Sequence, residues 1–336
     1  MEIIKDTDLY KNEIEKFVLN HSNGNFFQSL QAYEFYESVE NHKPFVFAVI
    51  DGDEVLGLLK GVVINNGKNI KKYMSRRAII WGGPLINEKK GPKEKNEIVS
   101  LLLTHLNKYC KKETMYTEFR NIYDMSDFKE VFSDKGFKYK RYLNYIVSLE
   151  NYVINYSKLK KDKRYELKKS KENGLSYKIA ENISEVRKYY EILKELYSVK
   201  VKKPLNNFDF FRVFFETKEL GIIILVMFKC KVVGGVVCPI FKNTIYELYE
   251  AAEDIKQKHI FPNVLATYSP IEYGLLNGLK YYDMMGAGKP EEKYGVRDFK
   301  SKFGGEMVEY GRFFKINKPL LYKTGELGLK FLSKFS

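Results

Sequence analysis

Cysteine and histidine are scarce in this chain of 336 residues, which has only three cysteines and four histidines. Cys110, Cys230 and Cys238 are too few and too scattered for a disulfide framework, so a reducing, cytoplasmic setting is expected. No histidine has the spacing to cysteine or carboxylate residues that a metal site requires, so no bound metal is expected. No other bound cofactor is expected either. The histidines are His21, His42, His105 and His259.

Long apolar runs and the common enzymatic motifs are also missing. The longest apolar run, Ile222–Phe228, is too short to cross a bilayer, and the charged N-terminus does not have the pattern of a signal peptide. There is no Walker loop, dinucleotide-binding fingerprint or Gly-x-Ser-x-Gly elbow. Nucleotide hydrolysis, hydride transfer and serine hydrolysis therefore lack their usual parts, which leaves a reaction driven by positioning and electrostatics.

Positive charge, by contrast, is abundant. The net charge is +14, and this excess predicts an anionic partner: nucleic acid, a phosphate-rich substrate or, by peripheral contact, a membrane surface. Hydrophobic residues make up 44% of the chain and aromatic residues 15%, which is enough for full cores. The length suits two domains.

The two halves of the chain share one pattern of predicted elements. Phe45–Ile64 forms a predicted hairpin, and Ile222–Ile240 forms a second one in the same position of the second half. Asp127–Phe132 and Asp298–Phe303 also have similar sequences, and each follows a strand and precedes a glycine. We therefore predict an internal duplication: two tandem α+β domains with mixed sheets, over residues 1–150 and 151–317.

The most informative segment is Gly286–Arg312. It follows a short predicted strand, Tyr281–Met285, and its first glycines, Gly286 and Gly288, force a loop. A short helix comes next, in which Val296, Phe299 and Phe303 share one face. The other faces carry Tyr294, Arg297, Asp298 and Lys300. Gly304 and Gly305 are predicted to end this helix, Gly304 with a positive φ, and Met307–Ile316 to continue as one strand.

A basic stretch, Lys158–Gly174, lies between the two halves. We predict one helix here, with Leu159, Tyr165 and the stem of Lys169 facing inward. Its other cations form a possible track for phosphate groups, although a charge run of this kind is also typical of a solvated helix face. The candidate nucleic-acid-binding residues are Lys160, Lys161, Lys163, Arg164 and Lys168.

These residues resemble a known family. Tyr294–Gly305 and the following Tyr310–Arg312 are similar to the Phe-Lys motif segment of the FemABX family of aminoacyltransferases, a group with tandem GNAT-like domains. Phe27–Leu30 resembles the family's N-terminal Gln-Ser motif, and Gly82–Pro84 its Arg-Gly-Pro element. Lys163–Ser170 resembles the helix that opens the family's second domain. The match extends along nearly the whole chain and indicates the compact form, without a coiled-coil arm.

The resemblance implies two GNAT-like domains, with residues 318–336 packing back on the first. It also implies transfer of an amino acid from aminoacyl-tRNA to an amine of a nucleotide- or lipid-linked peptidoglycan precursor by a protein acting as a monomer. Phe299 and Lys300 take the places of the catalytic Phe-Lys pair, in which the lysine stabilises an oxyanion. The candidate substrate-binding residues are Tyr294, Arg297, Gly286, Gly288, Gly304, Gly305, Arg120 and Gly83.

Two departures concern the acceptor. Glu37 stands where peptidoglycan-linked members have lysine, and Arg120-Asn121 replaces a family Asp-Pro. An alternative is an acyl-CoA-dependent N-acetyltransferase acting on a sugar or polysaccharide precursor. The stretch Lys256–Asn263 argues against it, because it lacks the glycines of a pyrophosphate-binding loop and Pro262 removes an amide. A second alternative is a non-catalytic RNA-binding scaffold.

Overall fold

The computed structural model describes residues 1–5, 11–65 and 75–322, which belong to two compact units. The first unit consists of Met1–Arg141 together with Tyr310–Ser336, and the second of Tyr142–Glu309. Each unit is built on its own eight-stranded mixed sheet with helices packed on it.

The first unit begins with β1 (Glu2–Lys5), α1 (Lys11–Asn20), a 3₁₀ turn (Phe26–Gln28) and α2 (Leu30–Ser38). The hairpin β2 (His42–Asp51) and β3 (Glu54–Ile64) follows, and then β4 (Arg77–Trp81), β5 (Leu85–Ile86) and the long helix α3 (Pro92–Glu113). β6 (Tyr116–Arg120), a 3₁₀ turn (Ser126–Phe128), α4 (Lys129–Asp134) and β7 (Lys138–Lys140) complete this part. β4 and β6 are parallel neighbours.

The second unit begins with β8 (Asn144–Ser148), α5 (Tyr152–Lys158), α6 (Lys161–Glu172), β9 (Leu175–Ile179) and α7 (Ile183–Leu196). After a π-helical turn (Tyr197–Val201) come α8 (Phe208–Glu216), a 3₁₀ turn (Lys218–Leu220) and the hairpin β10 (Gly221–Phe228) and β11 (Lys231–Phe241). Then follow β12 (Thr244–Tyr246), β13 (Tyr249–Ala252), α9 (Pro262–Leu276) and β14 (Tyr281–Asp283). The unit ends with α10 (Gly295–Lys300), a 3₁₀ turn (Ser301–Phe303) and β15 (Glu306–Val308).

The two sheets have the same plan. In strand order the first is β1-β2-β3-β4-β6-β16-β7, where β16 is Arg312–Ile316, and the second, read in the same direction, is β9-β10-β11-β12-β14-β8-β15. In each sheet, the hairpin is followed by a strand antiparallel to its second strand, then by a helix, and then by a strand parallel to the one before the helix. The helical turns at Ser126–Asp134 and Gly295–Phe303 come after this last strand in the two units. The predicted tandem α+β architecture is confirmed.

The unit boundaries differ from those expected at 150/151 and 317/318. β8 pairs with β14 and β15, so the second unit starts at Tyr142, and β16 pairs with β6 and β7, so the chain re-enters the first unit at Tyr310. The single strand expected over Met307–Ile316 is likewise wrong. Gly311, with φ +67°, separates β15 from β16, and these two strands belong to different sheets.

The last described residues, 318–322, lie on the first unit. The Tyr322 ring contacts the rings of Tyr116 (centroids 6.2 Å apart) and Phe314 (6.4 Å). The remainder of the segment expected to pack there, residues 323–336, lies outside the described residues. Across the described part of the chain, no helix combines the length and apolarity needed to span a bilayer.

Candidate active site

Two parallel strands of the second unit diverge at their carboxyl ends. β12 and β14 pair from Thr244↔Tyr281 to Tyr246↔Asp283, and a last bond joins the Glu247 N–H to the Asp283 carbonyl at 2.9 Å. Beyond it, β13 stays with β11, while the chain after Asp283 turns towards β8, where the Met284 N–H donates to the Tyr145 carbonyl. A crevice opens between them, at the place where open α/β sheets bind ligands.

This crevice is the floor of a cavity of about 1160 Å³. Its walls come from residues 247–254, the loop before α9, the segment Met284–Gly286, and the start and end of α10. β13 has β11 as its sole strand partner among the described strands, so its second edge faces this space. The volume exceeds that of an ordinary small-molecule pocket and suits a substrate with a bulky carrier group.

A buried ion pair lies in this cavity. The Lys300 Nζ, on a side chain only 7% exposed, is 2.7 Å from Oε1 of Glu247, which is 6% exposed. Lys300 also donates to the carbonyl of Met284 and, at 3.2 Å, to that of Gly286. The Tyr282 hydroxyl donates to the other oxygen of Glu247. All three Lys300 donors therefore have partners, and both Glu247 oxygens are engaged.

A second buried carboxylate fixes the glycine loop. Oδ1 of Asp283 accepts from the Asn144 side-chain amide and from the Met285 N–H, each at 2.7 Å. The Asn144 Oδ1 in turn accepts from the Gly286 N–H at 2.7 Å. Burial raises the pKa of Asp283 to about 6. This network holds Met285 and Gly286 at φ +53° and +122°, which aims the Met284 and Gly286 carbonyls at Lys300.

Glu250, on β13, is a third carboxylate of the cavity wall. Burial and the neighbouring charge of Glu247 raise its pKa to about 8, against the opposing effects of Lys300 and a hydrogen bond from Thr267. A carboxylate whose pKa lies near neutrality can accept a proton and release it again. The cavity thus combines an ammonium group, a carboxylate paired to it, and a carboxylate that titrates.

The structure brings together four of the residues predicted from the motif segment: Tyr294, Phe299, Lys300 and Gly286 all line the cavity. Phe299 also packs on the Phe303 ring, with centroids 5.0 Å apart.

Other predicted substrate-binding residues have structural contacts instead. Arg297 donates to the carbonyls of Lys289 (2.6 Å) and Glu292, and so ties the glycine loop to α10. At Gly288 a Cβ would lie 2.7 Å from the Tyr294 ring, and at Gly304, with φ +80°, 2.6 Å from the Lys158 Cβ. Gly305 lies against Val147.

Arg120 and Gly83 belong to the first unit and do not line this cavity. Arg120 pairs with Glu118 and lies over the Trp81 ring, 5.0 Å from its centroid. Gly83 packs against the side chain of Gln28.

The basic stretch is not the single helix that the sequence predicts. The chain breaks at Leu159 and Lys160, where the Lys160 N–H donates to the Lys302 carbonyl, and α6 starts at Lys161. The break changes the face turned inward. Leu159 is buried as expected, but Tyr165 is 49% exposed and Lys169 is only partly buried, whereas Lys163, Leu167 and Ser170 are buried.

Two of the five predicted nucleic-acid-binding cations are consequently unsuited to phosphate contact. Lys163 pairs with Glu166 and lies 5.1 Å from the centroid of the Phe299 ring. Arg164 donates to the carbonyls of Ser157 (2.7 Å) and Leu159 (2.6 Å), capping α5. Lys160, Lys161 and Lys168 are exposed.

The sequence analysis missed Glu247, Glu250 and Asp283. The signal was present, since Ile245–Ala251 and Tyr281–Met285 have the composition of strands and Asn263–Leu276 between them that of a helix. Two strands joined through a helix are parallel neighbours, so carboxylates at their carboxyl ends converge.

Comparison with known families bears on the same segment. Residues 229–329 match the model of the FemAB family. The match covers 101 of the 336 residues. The matched range contains Glu247, Glu250, Asp283 and Lys300, and therefore all the charged groups described in this cavity. A comparison with curated protein sequences gives no match.

Several solved structures have folds similar to this one. The crystal structure of FemX is similar with a TM-score of 0.71 and 16% identity, over 96% of this chain and 99% of FemX. A tandem GNAT protein from the clavulanic acid biosynthesis pathway is similar with a TM-score of 0.59 and 10% identity, over 94% and 98% of the two chains. L-PGS from Bacillus licheniformis is similar with a TM-score of 0.55 and 16% identity, over 91% of each chain. The fold is tandem GNAT-like.

Proposed function

We propose that the protein transfers an aminoacyl group from aminoacyl-tRNA to an amine of a cell-wall precursor, with the chemistry in the cavity of the second unit. The observation that carries the proposal is the buried Lys300–Glu247 pair beside Glu250, within the range that matches the FemAB family. We expect the reaction in the cytoplasm, where its charged donor is made.

The reaction follows from these groups. The acceptor amine attacks the ester carbonyl carbon of the donor, a C–N bond forms, and the carbonyl oxygen becomes an oxyanion. Glu250 accepts the proton that the attacking nitrogen loses. The C–O bond to the ribose then breaks, and the same proton passes to the departing hydroxyl oxygen. A general base of this kind contributes about a hundred- to ten-thousand-fold in rate.

Lys300 acts on the oxyanion through its charge and through one exchangeable hydrogen bond. Its hydrogen bond to the Gly286 carbonyl, at 3.2 Å, is the longest of its three contacts and is the one that an oxyanion can replace. Glu247 and Met284 keep the ammonium in place meanwhile. A fixed, desolvated ammonium needs no reorganisation as negative charge develops, which is what makes such groups effective.

The start of α9 favours charged tRNA over acyl-CoA as the donor. Pro262, the first residue of that helix, has no N–H, and the Phe261 N–H already donates to the Ser170 hydroxyl at 3.0 Å. The Val264 N–H donates to the Asn263 Oδ1 at 3.0 Å. Few amides remain there for a pyrophosphate, whereas anion sites at helix starts depend on such amides.

Lysines at the cavity wall and on α6 suit an RNA donor. Lys200 and Lys203, after α7, and Lys258, before α9, line the cavity and are exposed. Within the described chain no carboxylate forms an ion pair with any of these three. Lys160, Lys161 and Lys168 on and before α6 provide further exposed charge. A nucleotide- or lipid-linked precursor remains the proposed acceptor.

Glu250→Gln tests the assignment, because the amide keeps the shape but cannot accept the proton. The wild-type rate should rise with pH up to about 8 and then level off, as Glu250 loses its proton. The variant should be slower by at least about a hundredfold and lose this pH dependence. Glu253→Gln, an exposed glutamate of the same cavity wall, is the matched control and should keep both the rate and the profile. An unchanged pH profile in Glu250→Gln would remove Glu250 from the mechanism.

A further inference from the structure

The described chain ends with a short helical turn on the first unit. The Tyr322 N–H donates to the Lys318 carbonyl at 2.9 Å, which closes the turn. The Tyr322 ring contacts the rings of Tyr116 and Phe314. Leu320, two residues earlier, is 84% exposed. Two residues correspond to about 200° around a helix, so Leu320 lies on the side of the turn that faces away from these rings.

The sequence after this turn repeats the apolar character of Leu320 at helical spacing. Leu327, Phe331 and Phe335 follow Leu320 by 7, 11 and 15 residues. At about 100° per residue, these four positions fall within an arc of about 80°. Residues 323–336 lie outside the described part of the chain, and this apolar face is predicted from their sequence. The predicted face is the one that the described turn leaves exposed at Leu320.

Lysines border this predicted apolar face. Lys323, Lys330 and Lys334 fall about 40° to 80° from Leu320 on one side of it. Glu326 is the single acidic residue between positions 319 and 336, so positive charge is in excess there. Lysines beside an apolar face can extend their ammonium groups to anionic headgroups while the apolar side chains enter the acyl boundary.

The spacing fits a lipid surface better than a second copy of the chain. A coiled-coil seam needs apolar residues that alternate three and four apart, but Lys323 and Lys330 stand three residues after Leu320 and Leu327. Two glycines in the segment lower its helix propensity, so a helix there depends on contact with an apolar surface. A membrane with anionic headgroups supplies both the apolar boundary and the complementary charge.

We infer that residues 319–336 bind the surface of an anionic membrane. The face of Leu320, Leu327, Phe331 and Phe335 lies at the acyl boundary, and the bordering lysines lie at the headgroups. Each lysine near such a surface strengthens binding by roughly fivefold, so the attachment is peripheral and reversible. Membrane binding goes beyond the proposed function and requires no transfer, so it is measured with the full chain and lipid vesicles alone.

A tryptophan reporter tests the predicted face directly. Phe331→Trp places the reporter on this face, and Trp81, the chain's single tryptophan, gives a constant background. Its emission should shift to shorter wavelength with vesicles of phosphatidylglycerol and phosphatidylcholine in equal parts, and hardly at all with phosphatidylcholine alone. The control Val153→Trp, at a position of the second unit that is 75% exposed, should show no shift. Unchanged emission of Phe331→Trp with the anionic vesicles would overturn the inference.

Sedimentation with the same anionic vesicles measures the contribution of charge. The triple variant Lys323→Gln, Lys330→Gln, Lys334→Gln should bind about tenfold to a hundredfold more weakly than the wild type. A control that removes the same charge from exposed positions of α3 should lose far less. This control is Lys108→Gln, Lys111→Gln, Lys112→Gln. Equal affinities of the two triple variants would show that the segment does not carry the charge contact, and would overturn the inference.

A second pair of variants measures the apolar contribution. Leu320→Ser with Phe331→Ser should bind at least about tenfold more weakly, whereas Val153→Ser with Leu276→Ser, at positions 75% and 78% exposed, should bind like the wild type. Wild-type affinity in the first variant would overturn the inference. So would a lipid-free dimer that Leu327→Ser dissociates, since the face would then bind a second copy. If the first variant melts below the wild type, the charge variants, which keep every apolar side chain, decide the question.

Discussion

Lys300→Ala removes one partner of a buried ion pair and should affect both stability and rate. The two side chains are only 7% and 6% exposed, so the variant leaves the Glu247 carboxylate without its counter-charge and out of contact with bulk water. Breaking a buried pair in this way costs about 3–5 kcal/mol of unfolding free energy. The Met284 carbonyl also loses its Lys300 donor. The burial of Glu247 therefore predicts a loss of stability together with the loss of rate.

A double variant separates stability from catalysis. Lys300→Met with Glu247→Gln leaves no unpaired charge, and the glutamine still accepts from the Tyr282 hydroxyl. It should therefore regain most of the stability lost in Lys300→Ala, measured by urea unfolding followed by circular dichroism. Its single-turnover transfer rate should nevertheless stay about a hundred- to a thousand-fold below the wild type, because the oxyanion lacks its cation.

Two results would refute this reasoning. If Lys300→Ala unfolds at the wild-type urea concentration, Glu247 does not depend on Lys300 in the folded protein. If the double variant transfers at the wild-type rate, Lys300 has no part in the chemistry and the pair is purely structural.

Three further predictions concern other parts of the chain. Gly304→Val should lower the melting temperature, because φ is +80° there and an added Cβ would lie 2.6 Å from the Lys158 Cβ. The control Gly295→Val should leave it unchanged, because no atom lies within 4 Å of the added Cβ. Equal melting temperatures in the two variants would contradict the predicted strain at Gly304. Burial lowers the pKa of Lys60 to about 7, so the unfolded chain binds more protons than the folded one between about pH 7 and 10. The free energy of unfolding should therefore rise with pH in this range by up to about 1.4 kcal/mol per pH unit. Lys60→Met should remove this rise in urea unfolding, and the same pH dependence in the variant and the wild type would show that Lys60 titrates normally. A triple glutamine variant of the exposed cations on and before α6 should bind tRNA more weakly, with a flatter slope of log affinity against log salt, at an unchanged melting temperature. A slope equal to that of the wild type would show that these cations are only a solvated helix face. These cations are Lys160, Lys161 and Lys168.

Local signals in the sequence were enough for most of the fold. The hairpins β2–β3 and β10–β11 follow from apolar runs around a short turn, and Gly304 takes the positive φ expected at a helix end. The error at Met307–Ile316 came from two short strands separated only by Glu309, Tyr310 and Gly311. Sequence pattern does not show which sheet a short strand joins, since that depends on pairing with distant strands.

The site could be predicted only in part for a similar reason. Lys300 and Phe299 lie on a segment with a recognisable motif, whereas Glu247 and Glu250 lie in a run of strand residues with no motif of its own. Their role depends on β14 pairing with β12 and diverging after Asp283. Lys163 was misplaced because the break at Leu159 and Lys160 rotates α6, and composition alone does not reveal a break inside a lysine-rich stretch.

The most direct test of the proposed function is a single-turnover assay with two donors. The protein is mixed with an amine-bearing cell-wall precursor and either a pool of tRNAs charged with labelled amino acids or labelled acyl-CoA, and the label on the precursor is followed in wild type and in Glu250→Gln. Our account predicts transfer from charged tRNA by the wild type, a loss of at least about a hundredfold in the variant, and no transfer from acyl-CoA. Transfer from acyl-CoA but not from charged tRNA would contradict the proposed donor and favour the N-acetyltransferase alternative.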